Sequence, residues 1–340
     1  MTLIIVIFIT SLFAFHKKKN SLHISILLLS YLFSCRSTLV PDTEAYMSIY
    51  EYGLDWHEPI EIGFLYLCHI FKNIIHFSFA GFIFVITLLL FETWYYIVKR
   101  LLVGYDIRVA FVIFLSYYGI FFYGVVLRSA IAITLCMVGI YYLNSHRTTK
   151  SLVIYIVLVL ISALFQVGSL LFLFTPLCYR RYSQKTLYTI IYLSVVVLFV
   201  SSTSYISTII EQFSQLVNIG RMGGYASNYV ENSGISIHVL LNIFIGGLLV
   251  YCRGNDKFLQ DFKTSNLFIN MCVFATLIIS LLNNFDSGAR LGMQWSFFEF
   301  IPITILATRY KKIYIIMMTY VVIKMFALLH YFPDIFNYSF

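Results

Sequence analysis

Long apolar runs, separated by short clusters of lysine and arginine, fix what this chain can become. The runs cover 1–16, 21–36, 79–98, 108–126, 127–143, 151–165, 167–179, 186–204, 236–252, 265–282, 292–308 and 313–331. A helix needs about 20 such residues to cross the hydrocarbon core of a bilayer. Only 11% of the residues are charged, against about 25% in a soluble globule. So little polar surface cannot cover a ball of this size, so most of the chain takes lipid as its solvent. The reading is an all-α, polytopic integral membrane protein. It forms a single membrane domain over 1–340, with about twelve spans and a range of about 10–12.

The basic residues set the direction of the spans. The formal net charge of +8 raises the question of nucleic acid as a partner. Basic residues that sit in short clusters between apolar runs, and not along a groove, exclude it. All but six of the 23 lysines and arginines fall in alternate loops. These loops hold Lys17 to Lys19, Lys99 with Arg100 and Arg108, Arg147 with Lys150, Arg180 with Arg181 and Lys185, Arg253 with Lys257 and Lys263, and Arg309 with Lys311 and Lys312. Such a bias marks the cytoplasmic side. Both termini are therefore predicted on the outer face of the membrane. The first run precedes His16-Lys17-Lys18-Lys19. A cleaved signal peptide carries its charge before the apolar stretch, so this run reads as a retained anchor.

Two predicted outer loops stand out by length, at about 37–59 and 205–235. The stretch 60–76 is apolar but carries Glu61, Lys72, His69 and His76. It is predicted to lie in the outer interface, so that 37–78 forms an outer loop plus interfacial helix. Were it a full span, every later loop would flip and the basic bias would collapse.

The six cations that break the bias are Arg36, Lys72, Arg128, Arg221, Arg290 and Lys324. Arg36 and Arg128 sit at outer ends of spans, and Arg290 at the mouth of another. Arg221 falls in the second long loop. A charge at such a position needs a partner, because charges at mid-bilayer cost about 2.5 kcal/mol or more. Snorkelling and structural ion pairing account for single cases. Arg128, between apolar spans with no loop to escape into, favours a functional role.

The acids match this pattern. Six of the 15, namely Asp42, Glu44, Glu51, Asp55, Glu58 and Glu61, fall in one stretch with no Lys or Arg. A solvated acidic face is the bland alternative. Tyr46, Tyr50, Tyr52 and Trp56 lie among them. Aromatic faces stack on sugar rings, and carboxylates bind sugar hydroxyls or act as general bases.

Other chemistry finds little support. His69 and His76 lack a third ligand, so no metal site is read. The double glycines at 223–224 and 246–247 have no P-loop context, and no Ser-His-Asp elbow is visible. The six cysteines form no CxxC pair and read as apolar fillers. Cys35 and Cys68 both fall on the predicted outer side, and their pairing is left open.

Outer arginines beside carboxylates suit one reaction well. Sugar transfer from a lipid-linked donor breaks a bond between an anomeric carbon and a diphosphate. The planar arginine fork binds the departing phosphate bidentately. A low local dielectric strengthens that contact. The acceptor hydroxyl needs a base, a role open to Asp42 or Glu61.

At this point a resemblance enters. Arg36-x5-Asp42-x3-Tyr46, followed by Glu61-Ile62-Gly63-Phe64, resembles the first outer-loop signature of EpsG-type proteins within the Wzy-like O-antigen polymerases. Leu127-Arg128-Ser129-Ala130-Ile131-Ala132, then Gly139-Ile140-Tyr141-Tyr142-Leu143, resembles their next conserved span. Ala163 to Ser169 is similar to the motif after it, and Arg290 matches a late outer arginine. Two departures stand out. Gln166 stands where the family usually has histidine, and Ser129 where it often has glutamine. Glutamine cannot act as a general base at neutral pH.

The resemblance implies an O-antigen or capsular polysaccharide polymerase of lipopolysaccharide biosynthesis. It would join undecaprenyl-diphosphate-linked oligosaccharide repeat units at the periplasmic face. Asp42, Glu61, Arg128 and Arg290 are the implied catalytic set. Arg36, Tyr46, Gln166 and Arg221 are the implied substrate-binding set. No cofactor is implied. The implied partners are membrane lipid and a chain-length regulator protein. Two other classes compete with it. A repeat-unit flippase or transporter expects symmetric repeats and polar midplane residues, and Glu92, Glu299 and Lys324 are the main mid-span charges. A membrane O-acyltransferase expects a histidine base near an early arginine, and neither His16 nor His23 carries a recognisable motif.

Overall fold

The computed structural model describes residues 21–56, 60–146, 148–201, 236–256, 259, 263–283, 286–331 and 333–336. Among them no β-strand forms, and every regular element is helical. Backbone groups in lipid find no water, and a helix satisfies them within its own segment.

In chain order, α1 is Ser21–Ser34, α2 Thr43–Tyr52 and α3 Ile62–His69, which widens into a π-helical turn at Ile70–Ile74. Next come α4, Phe79–Leu101, and α5, Ile107–Phe114, which continues as a π-helix over Leu115–Tyr123. They are followed by α6, Leu127–His146, and α7, Thr149–Ala163. A 3-10 helix, Val167–Phe174, leads into the short α8, Thr175–Cys178, and then α9, Gln184–Ser201. The remainder is α10 (Ile237–Asn255), α11 (Lys263–Leu281), α12 (Asp286–Ser296), α13 (Phe300–Arg309) and α14 (Lys311–Tyr331).

Phe79–Leu101, Leu127–His146, Gln184–Ser201 and Ile237–Asn255 are long and apolar enough to cross a membrane. Most other runs form shorter apolar helices, among them Ser21–Ser34, Ile107–Tyr123 and Thr149–Ala163. The predicted run at 1–16 and the predicted loop at 205–235 lie outside the described residues. The run at 292–308 is divided by a 3-10 turn at Phe297–Glu299. The run at 167–179 becomes α-helical only where Pro176 enters the first turn, the position a proline tolerates best. Ile62–Ile74 is 13 residues long, about 20 Å at 1.5 Å per residue. That falls short of a hydrocarbon core of about 30 Å.

Polar caps start several helices. Ser78 accepts the Gly81 N–H at 3.1 Å before α4. Thr148 and Ser151 close a reciprocal capping box at α7, with bonds of 2.9 and 3.1 Å.

The chain divides into two compact units. One comprises Met1–Leu173 with Thr304–Phe340, and the other Phe174–Ile303. In lipid, helices gain little from the hydrophobic effect, so packing and interhelical hydrogen bonds must hold them. The first unit uses rings. Trp94 stacks on Phe114 at 4.8 Å, and Phe91 meets Tyr123 edge-on at 4.8 Å. Between α6 and α7, Cys136 and Ser162 lie 3.2 Å apart, and Ser162 bonds Ser169 at 2.7 Å. The second unit uses amides and a guanidinium. Asn270 donates to the carbonyls of Cys178 and Arg180, at 2.8 and 2.9 Å. Arg253 donates to Asn266 at 2.6 Å and to the Tyr182 carbonyl at 3.0 Å. All six cysteines are free thiols, so Cys35 and Cys68 do not pair.

One glycine fixes how the predicted outer loop meets the helices. Gly63 donates its N–H to the Leu164 carbonyl at 2.8 Å. A Cβ there would lie 2.8 Å from that same oxygen. Gly63→Ala is expected to destabilise the protein by about 1–3 kcal/mol. The readout is a lower midpoint in thermal unfolding of the purified protein in detergent. Gly247→Ala, where a Cβ meets nothing within 4 Å, is expected to hold or raise that midpoint.

Candidate functional site

Three distant stretches of the first unit bring the predicted residues together. Arg36 follows α1. The chain then turns, with Val40 N–H bonding Ser37 and Thr43 N–H bonding Val40, both at 3.1 Å. Asp42 takes a left-handed backbone, φ 63°, and α2 starts directly after it. That conformation costs about 1 kcal/mol, and aspartate tolerates it better than most residues. The turn aims the first face of α2 inward, so that Tyr46 is 1% exposed and Thr43 is fully buried. Glu61 supplies the second stretch, just ahead of α3. Arg128 supplies the third, on the first turn of α6.

Arg128 and Glu61 form an ion pair across 67 positions of sequence. The Glu61 side chain is 7% exposed and that of Arg128 is 24% exposed. A pair this sheltered is strongly coupled, because removing one member strands the other charge away from water. Arg36 is buried and donates to the Gly124 carbonyl at 3.1 Å. Its guanidinium lies 5.5 Å from the Tyr46 ring and 5.8 Å from the Phe79 ring. Arg128 lies 5.9 Å from the same tyrosine ring. Both arginines therefore flank Tyr46, within the range of a cation–π attraction. Phe64 meets the same ring at 5.2 Å between centroids.

The electrostatics keep Tyr46 protonated. Burial pushes its hydroxyl pKa up, and the Asp42 charge pushes the same way, while Arg128 and Arg36 oppose them. Its hydroxyl is therefore a donor at neutral pH. Thr43 Oγ1 and Arg128 Nε are among the buried polar atoms of the cluster that meet no hydrogen-bond partner, although buried donors are normally satisfied.

Gln166 belongs to this neighbourhood through the backbone. It sits in the turn after α7, with its N–H on Ser162 and its carbonyl accepting from Ser169, both at 3.0 Å. The bond from Gly63 to Leu164 ties this turn to a position two residues from Glu61. Lys72 also has a place, donating to the Glu51 carbonyl at 2.5 Å. Arg290 is partly buried on α12, in the second unit. Arg221 lies outside the described residues.

Sequence reasoning missed several members. Thr43 follows Asp42 in the helix-start position, and that adjacency was the available signal. Phe64, Phe79 and the Gly124 carbonyl carry no signal before the fold is known. Two of the mid-span charges find partners. Glu92 meets His23 at 2.8 Å. Lys324 is fully buried, with its ammonium 4.0 Å from the Tyr118 ring, 5.2 Å from Tyr320 and 5.3 Å from Tyr117.

The model of the EpsG family matches residues 19–340, nearly the whole chain. The chain belongs to the EpsG family. Among curated proteins and solved structures, nothing matches it. EpsG membership suggests a polysaccharide-polymerase-like function, and the apolar helices suggest a membrane-embedded protein.

The coupling between Glu61 and Arg128 is measurable. Glu61→Ala is expected to destabilise the protein by about 3 kcal/mol. Adding Arg128→Ala to it should recover a substantial part of that loss, because no buried charge is then stranded. Thermal unfolding of the four members of the cycle in detergent checks this. Simple additivity would mean that the two charges do not interact.

Proposed function

We propose that this protein is an O-antigen or capsular polysaccharide polymerase of the bacterial inner membrane. It transfers a glycan from undecaprenyl diphosphate to the next lipid-linked repeat unit, at the periplasmic face. Family membership supports the reaction class. The observation that carries the reading is the cluster of Arg36, Asp42, Tyr46, Glu61 and Arg128, assembled from distant stretches beside apolar helices.

The division of labour follows from charge. When the anomeric bond breaks, the diphosphate gains negative charge. Arg128 stands partly open to meet it, and the planar fork matches two phosphate oxygens. Arg36 is more deeply set and holds Tyr46 and the loop in place. Gln166 contacts the glycan. The aromatic rings of the outer loop stack on sugar rings. The lipid tail enters sideways between helices. A chain-length regulator acts as partner, and both termini face the periplasm.

The transporter reading has less support. Its mid-span charges are engaged, Glu92 by His23 and Lys324 by tyrosine rings.

A strain lacking the gene is expected to make surface glycan with a single repeat unit. Arg128→Ala and Arg290→Ala should fail to restore the ladder of chain lengths although both proteins insert. Lysine at either position should rescue poorly, because a point charge lacks the fork. A normal ladder in the deletion strain would end the polymerase reading. Wild-type chain lengths in both alanine variants would mark these arginines as structural.

A further inference from the structure

Two carboxylates stand beside Arg128, and the reaction needs one base. Their surroundings differ. Glu61 is buried and its oxygen is committed to the Arg128 guanidinium. An incoming hydroxyl would have to compete with the guanidinium for that carboxylate. Burial also leaves it little access to the carboxylate. Asp42 is half-buried, and its carboxylate does not cap α2 although it occupies the capping position. Its backbone is left-handed, with φ 63°. An aspartate in that position normally caps the helix, so a strained conformation that forgoes the cap points to another use. The neighbouring Thr43 hydroxyl is fully buried and meets no protein acceptor. A hydroxyl donor next in sequence to a half-buried carboxylate supplies the donor and acceptor that a sugar hydroxyl needs.

We infer that Asp42 is the general base, that Asp42 and Thr43 form the acceptor-hydroxyl site, and that Glu61 is a positioning residue for Arg128. This rests on the polymerase reading and divides the cluster into two halves. The Arg128 half holds the donor diphosphate. The Asp42 half holds the acceptor sugar. The acceptor oxygen bonds to the anomeric carbon, and its proton passes to an Asp42 carboxylate oxygen. The bond from the anomeric carbon to the diphosphate breaks, and its electron pair leaves on the diphosphate oxygen facing Arg128. Asp42 then returns the proton to water. Glu61 never takes a proton; it fixes the angle of the arginine fork. Charged and titratable groups at the Asp42 end of the cluster include Tyr46 on α2, Arg128 on α6 and Arg36 after α1.

The test uses the full-length protein in lipid nanodiscs. Turnover is measured with the polyprenyl-diphosphate-linked repeat units that accumulate in a strain lacking the gene. Binding is measured with undecaprenyl diphosphate alone. Asp42→Asn is expected to lower kcat by about 100-fold or more, while binding the carrier diphosphate as the wild type does. Asp42→Glu should restore part of the rate. Glu61→Gln keeps a hydrogen-bond acceptor for the guanidinium. It is expected to weaken carrier binding and raise KM about tenfold, with kcat held within about threefold. Asp42→Asn is expected to keep a thermal midpoint near the wild-type value, whereas Glu61→Gln melts lower because the partner charge is stranded, and a single cooperative transition above the assay temperature shows that it is folded. Wild-type kcat in Asp42→Asn would overturn the assignment, as would a collapse of kcat in Glu61→Gln with carrier binding intact. Failure of the wild-type protein to extend the lipid-linked units would instead sink the polymerase reading itself.

Discussion

The ion pair between Arg128 and Glu61 is the contact on which the site depends. A guanidinium at the end of an apolar helix is costly to leave alone. Here the cost is met by a carboxylate from a loop 67 residues earlier. That requirement pulls the start of α3 onto the first turn of α6. The bond from Gly63 to Leu164 then fixes the same loop to the end of α7. With those two joints made, the Tyr46 ring lies within 6 Å of the guanidiniums of both Arg36 and Arg128. Fold and site are therefore held by the same few polar contacts. This is what lipid solvent demands, since apolar packing against lipid gives helices little reason to choose one another.

Much of this is legible in the amino-acid sequence. The apolar runs gave an all-helical membrane protein, because their length and lack of charge admit little else. Arg36 and Arg128 were marked by standing against the basic bias, and both lie in the cluster. Asp42, Tyr46 and Glu61 were marked by the acid-rich, aromatic stretch. Gln166 entered only through resemblance, and the Gly63 junction gives it a physical reason to be near. The family resemblance drawn from short motifs agrees with a family match over nearly the whole chain.

What was not legible has a common cause. Thr43, Phe64, Phe79 and the Gly124 carbonyl act through burial and orientation, which only the tertiary structure sets. The partner of Glu92 lies 69 positions away, so nothing local announces His23. The π-helix at Leu115–Tyr123 could not be read from periodicity either. An apolar stretch shows no hydrophobic face by which a wider turn would be detected. The tyrosines of that π-helix surround Lys324, which in sequence is only an isolated mid-span charge.

The central claim is that this cluster faces the compartment where lipid-linked glycan is joined. Thiol labelling in spheroplasts tests it most directly, with the native cysteines replaced. Glu44→Cys lies exposed beside the cluster, and Val103→Cys is 77% exposed on the predicted cytoplasmic side. A membrane-impermeant maleimide should label position 44 in intact spheroplasts and position 103 only after permeabilisation. The reverse order would place the arginine cluster on the cytoplasmic face, away from the glycan.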